Sequence, residues 1–163
     1  MTIVNGLPAH ALLLHFVVVL VPLTALLEIA CGLWPAARRG HLLWFTLALA
    51  IATMVLTPVT VNAGQWLYDL RTKPTPILRE HAELGSTMTY FAAALLAVAI
   101  GLVVLGLIER RSESRRVATK VIVGIVVLAV GISSMIQTYR TGDAGAQSVW
   151  GGEIARLKKS NGT

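Results

Sequence analysis

Residues 87–108 read TMTYFAAALLAVAIGLVVLGLI, a run of 22 without one charged side chain. An α-helix rises 1.5 Å per residue, so about 20 apolar residues cross the roughly 30 Å hydrocarbon core of a bilayer. Working outward, residues 11–34, 42–63 and 121–135 are three more such runs. The last is free of charge from Lys120 to Arg140, and the first is interrupted only by His15 and Glu28. An isolated strand cannot satisfy its backbone groups in lipid, so each run is expected as a helix. The expected fold class is all-α: an integral membrane four-helix bundle, up-down-up-down, with a short C-terminal interfacial segment. It forms a single domain over residues 1–163, with helices at about 8–34, 42–66, 77–109 and 119–139.

Composition agrees. Of 163 residues, 55% are hydrophobic and 13% charged, and the mean hydropathy is +0.71. Ordinary soluble domains carry about a quarter charged residues. Disorder, collagen-like repeats and a disulfide scaffold are excluded, and Cys31 is the only thiol. No C-x-x-C-H, Walker loop, nucleophile elbow or Rossmann fingerprint is present. The formal charge of +6 comes from residues flanking the helices, and no nucleic-acid role is read from it. Residues 1–10 lack Lys and Arg, so the first run is expected to be a retained helix rather than a cleaved signal. No internal repeat and no low-complexity tract is legible.

An even number of spans puts both termini on one side. The opposite side holds loops around residues 35–41 and 109–120, with Arg38, Arg39, Arg110, Arg111, Arg115, Arg116 and Lys120. The terminal side holds Arg71, Lys73, Arg79, Arg140, Arg156, Lys158 and Lys159. The tally is even, but three of the terminal side's cations lie on the far tail, and charges near helix ends weigh most. The expected location is a bacterial cytoplasmic membrane with both termini extracytoplasmic. Trp34 and Trp44 fit one aromatic belt, and Trp66, Tyr68, Tyr90 and Tyr139 the other. Pro22 and Pro58 are expected to kink their helices. Residues 141–152, rich in Gly, are expected to break the last helix before a short interfacial helix bearing Val149, Trp150, Ile154 and Leu157.

Three of the four histidines, His10, His15 and His81, fall near the terminal side; His41 reads as a solvated loop residue. His15 lies about 6 Å inside the first apolar run, and an ionisable group at membrane depth is a functional candidate. The alternative is a neutral His15 bonded to a backbone carbonyl. His10 and His15 are five residues apart, about 140° around a helix, so they look toward different neighbours. Helices one and three are diagonal in such a bundle, at roughly 12–14 Å if adjacent axes are 8–10 Å apart. Two imidazoles on one iron fit that separation. A b-type haem with His15 and His81 as axial ligands is therefore expected, with His10 the competing ligand because its depth matches His81 better. Arg71, Arg79 and Arg140 are available for the propionates. Gly85, Met88, Gly124 and Gly131 offer room, or simply close helix packing.

Weaker candidates remain. Asp69, Glu80, Glu83 and Asp143 collect on the terminal side and could join His10 and His81 in a non-haem metal site. Glu28 is read as reaching the interface, with a proton relay or a packing role as alternatives. Cys31 is read as a small apolar filler.

The stretch Pro8-Ala9-His10-Ala11-Leu12-Leu13-Leu14-His15-Phe16 resembles the P-x-H-P-L-L-V-H-F-P opening of a bacterial membrane family catalogued as domain of unknown function 2231. Ala63-Gly64-Gln65-Trp66-Leu67-Tyr68-Asp69 is similar to its T-G-x-x-D element, and Arg79-Glu80-His81 to its R-x-H. Residues 141–150, TGDAGAQSVW, are similar to its closing T-G-x-x-G-x-x-L-V-Y. The likeness spans essentially the whole chain and departs at Ala11, Val17 and Trp150. It implies extracytoplasmic redox work, because some relatives stand beside cytochrome-like domains. The expected function is electron transfer by a haem b membrane protein, between a quinol and a redox protein partner. A non-haem metal protein and an accessory subunit of a larger membrane complex are the alternatives, with a transporter behind them.

Overall fold

The computed structural model describes residues 3–4, 6–111 and 117–161. Arg115 and Arg116 lie outside these residues, as does the side chain of Arg111. A two-residue hairpin opens the chain, β1 (Ile3–Val4) against β2 (Leu7–Pro8), with Gly6 at φ +80° in its turn. Four long helices follow, α1 (Ala9–Leu33), α3 (His41–Asp69), α4 (Pro76–Arg111) and α5 (Val117–Ser160), with the one-turn α2 (Pro35–Arg38) between the first two. Trp34 leaves the helical region ahead of Pro35, as a residue before proline tends to, and Pro35 restarts the helix at its first position. Pro22 and Pro58 sit inside α1 and α3, which continue through them. All four long helices are long and apolar enough to cross a membrane.

Each long helix packs against two neighbours, in the cyclic order α1, α3, α4, α5. The first and third spans, α1 and α4, are therefore diagonal. Small residues set the close crossings: a Cβ on Gly32 would meet Val127 at 2.6 Å, and one on Gly131 would meet Ile29 at 2.8 Å. The polarity of the bundle is inverted relative to a soluble one. Phe16, Val19, Phe45, Val55, Ile122 and Ile125 face outward, whereas Thr24, Glu28, Thr46, Thr53, Thr57 and Ser134 are buried. An apolar exterior around a polar seam is what lipid selects.

The fourth span does not end near Tyr139. α5 runs unbroken to Ser160, a length of about 66 Å at 1.5 Å per residue, passing straight through the glycine-rich stretch. Tertiary contacts hold that stretch helical: Thr141 and Ala144 are buried, and Gly145 packs on a ring from α4. Beyond Val149 every described residue of α5 is exposed.

At the end of the bundle away from the termini, Arg38 is 1% exposed. Its Nη1 donates to the carbonyls of Cys31 (2.6 Å) and Gly32 (2.7 Å), and its Nη2 to Glu109 at 2.9 Å. Carbonyls that α1 leaves open at its C-terminus are thereby satisfied.

Candidate functional site

At the terminal end, α1 begins with His10 pointing inward. Its Nδ1 is 2.9 Å from the carbonyl oxygen of Thr60 on α3. A carbonyl only accepts, so Nδ1 carries a proton, and in the neutral ring it is Nε2 that offers the lone pair. On the diagonal helix α4, His81 does the same with the carbonyl of Thr141 on α5, also at 2.9 Å. The two rings meet edge to face, centroids 6.1 Å apart and planes at 72°.

Each carbonyl is reachable because glycine lies one turn further along its helix. A Cβ on Gly64 would stand 2.7 Å from Cε1 of His10, and one on Gly145 would stand 2.9 Å from Cε1 of His81. A residue four positions on covers the same face of the helix, so any side chain there would occupy the space the ring uses.

The two half-sites belong to a repeat that spans the whole bundle. Shifted by 71 residues, buried positions of α1 fall on buried positions of α4: Val17 on Met88, Val21 on Ala92, Cys31 on Leu102. Shifted by 81, those of α3 fall on those of α5: Thr53 on Ser134, Thr57 on Thr138, Thr60 on Thr141, Ala63 on Ala144. The first two helices and the last two are related like parallel repeats about an axis along the bundle. Sequence reasoning missed this.

His10 and His81 line a cavity of about 550 Å³. Its walls are largely apolar, with Leu14, Val17 and Met88 among them, and Arg71 and Lys73 also line it.

The expected ligand pair was His15 with His81. The structure places His15 on the outside of α1, exposed, its Nδ1 2.7 Å from the carbonyl of Ala11 on its own helix. The five-residue spacing does send the two α1 histidines to different faces, and the inward one is His10. Arg79 is exposed and does not line the cavity; Arg140 lines a separate groove with Glu80 and Glu83. Asp69 and Asp143 are exposed, bonded within their own helices to Gln65 and Gln147. Among the described residues no group of three or more His, Cys, Asp or Glu side chains converges, so the acids do not join His10 and His81. Glu28 does not reach the interface: it is fully buried.

The family model described as "Predicted membrane protein (DUF2231)" matches residues 6–157. No curated protein and no solved structure matches the chain.

Proposed function

The chain belongs to the DUF2231 family of membrane proteins, and from that premise we propose that it is a b-type haem protein whose axial ligands are His10 and His81. The observation that carries this reading is the facing pair itself: two imidazoles from diagonal helices, each fixed through Nδ1 to a backbone carbonyl, their centroids 6.1 Å apart. The separation is of the order that two ring nitrogens sharing one metal would need, at about 2 Å per metal–nitrogen bond, once each Nε2 is turned toward the metal. Fixing one ring nitrogen by a hydrogen bond, so that the other is aimed and more basic, is how metal-bound histidines are commonly oriented.

The residues present fit a haem better than a bare ion. Protein-only metal sites use three or four ligands, and the described residues offer two. A tetrapyrrole brings four nitrogens of its own and needs only the two axial ones. The cavity volume lies within the roughly 300–1,000 Å³ of cofactor pockets, and its lining is largely apolar. Arg71 and Lys73, which line the cavity, would hold the propionates in place of Arg79 and Arg140. When bound, such a group supplies one-electron chemistry, its potential set by the two imidazoles and the polarity around them. Thr60 and Thr141 hold the imidazoles in one tautomer, while Gly64 and Gly145 keep the ring positions open. Placing this end outside the cytoplasm, with a quinol as electron source and a redox protein as acceptor, completes the proposal.

The test is the visible spectrum of the full chain, purified in mild detergent from haem-supplemented cells, oxidised and dithionite-reduced. A low-spin α band on reduction, lost in His10→Ala and in His81→Ala but kept in His15→Ala, supports the proposal. A colourless protein, or a spectrum indifferent to His10 and His81, overturns it.

A further inference from the structure

Glu28 is 0% exposed, and among the described residues neither carboxyl oxygen has a hydrogen-bond partner. It sits inside a helix that crosses the membrane, where an uncompensated charge is expensive. Among the described residues nothing facing it offers compensation. Between His41 and Asp69, between Glu83 and Glu109, and between Lys120 and Arg140, the other three spans carry no Asp, Glu, His, Lys or Arg. On α1 itself the nearest titratable group is Cys31, one turn on. The nearest cation toward that end, Arg38, is already shared among Cys31, Gly32 and Glu109. The repeat sharpens the point, because the positions equivalent to Thr24 and Glu28 in the second half are Leu95 and Ala99. At these two positions the second half is apolar, so the buried carboxyl has no counterpart across the repeat.

Hydroxyls lead away from that carboxyl. Thr24, one turn before Glu28, lies 3.2 Å from Thr53. Thr53 donates to the Leu49 carbonyl, Thr57 to that of Thr53 and Thr60 to that of Leu56. With Thr53's hydrogen committed to Leu49, Thr24 is the donor of the pair. The Thr24 hydrogen goes to Thr53 and those of Thr53, Thr57 and Thr60 go to backbone carbonyls, so the hydroxyl oxygens keep lone pairs along a column of positions three or four residues apart that reaches the cavity at Thr57 and Thr60. Water entering from the cavity that Thr57 and Thr60 line would donate to these oxygens and supply the mobile hydrogens that the column itself lacks.

We propose that Glu28 is a proton-carrying site, a neutral carboxylic acid that exchanges its proton with water along the Thr24–Thr53–Thr57–Thr60 column. In the exchange the carboxyl O–H bond breaks as its proton passes to a water oxygen, and a proton from the same water returns to the carboxylate, so the acid is neutral before and after and no heavy-atom bond changes. It needs no cofactor, so it stands or falls separately from the haem reading.

The experiment is infrared spectroscopy of the full chain in lipid at pH 8, where water-exposed carboxyls are ionised. The expected result is the C=O stretch of a protonated acid, absent in Glu28→Gln and displaced in Glu28→Asp, which shifts when the sample is moved to D₂O. In the Thr24→Val/Thr53→Val double variant the band persists and its D₂O shift slows about tenfold, equivalent to about 1.4 kcal/mol. Three results overturn the proposal: no acid band in the unaltered chain, a band that D₂O never shifts, or an equal exchange rate in the double variant. Because the band is read in the unaltered chain, it remains decisive if Glu28→Gln fails to fold.

Discussion

Gly145 and His81 are in such close register that a methyl group on the glycine would stand 2.9 Å from Cε1 of the ring. Gly64 and His10 repeat the arrangement at 2.7 Å. Alanine at either glycine should therefore push its imidazole off the threonine carbonyl and destabilise the protein by about 1–3 kcal/mol, the usual cost of overpacking. Gly85 and Gly142 have nothing within 4 Å of a new Cβ. Alanine there should stabilise slightly, by about 0.5–1 kcal/mol, through helix propensity. Thermal unfolding in detergent separates the two pairs; equal shifts at all four positions would contradict the close-contact account.

Arg38 should tolerate neither loss nor a conservative replacement. Breaking a buried ion pair typically costs about 3–5 kcal/mol. Glu109 is 18% exposed, so the lower end of that range is expected for Arg38→Ala. Lysine cannot span two carbonyls and a carboxylate with one planar fork, so Arg38→Lys should recover less than half of the loss. Full recovery of the melting temperature by lysine would mean that charge alone matters here.

The α1–α5 crossing makes a paired prediction. Gly32→Ala brings a methyl to within 2.6 Å of Val127 Cγ2 and should cost about 1–3 kcal/mol. Val127→Ala removes the obstructing atoms, so the double variant should be more stable than the sum of the single losses implies. Strict additivity in that cycle would show that the two residues do not meet.

Ending the chain after Gly152 removes, among the described residues, only exposed ones, and the melting temperature should stay within the small range of surface changes. Ending it after Tyr139 removes Thr141 and Gly145 and leaves His81 without its carbonyl. Only the shorter chain should lose the histidine pair, which the ring-proton resonances of His10 and His81 can report.

Much of the architecture was readable from residue types alone. Charge-free runs, diagonal first and third spans and the divergence of His10 from His15 all follow from length and helical phase. The choice between those two histidines did not follow. Depth in the apolar run favoured His15, but depth says nothing about which face of α1 turns inward, and His15 instead satisfies itself on Ala11. The end of the fourth span was misjudged for a related reason. Glycines in residues 141–152 lower helix propensity, yet in the fold they are where a ring from α4 docks, and packing outweighs propensity. The repeat stayed hidden because its period is not constant: His10 and His81 are 71 apart, Thr60 and Thr141 are 81 apart. Few paired positions keep the same residue, and a search at one fixed spacing aligns only half the helices.

The two-helix repeat has a consequence for origin. A lone hairpin of this kind owns one imidazole and one threonine–glycine cradle, and the cradle serves the histidine of its own half. The facing pair therefore exists only when two hairpins stand back to back. The present chain carries two such hairpins in one polypeptide, and its halves differ at a buried position on the diagonal helices, Glu28 in the first and Ala99 in the second.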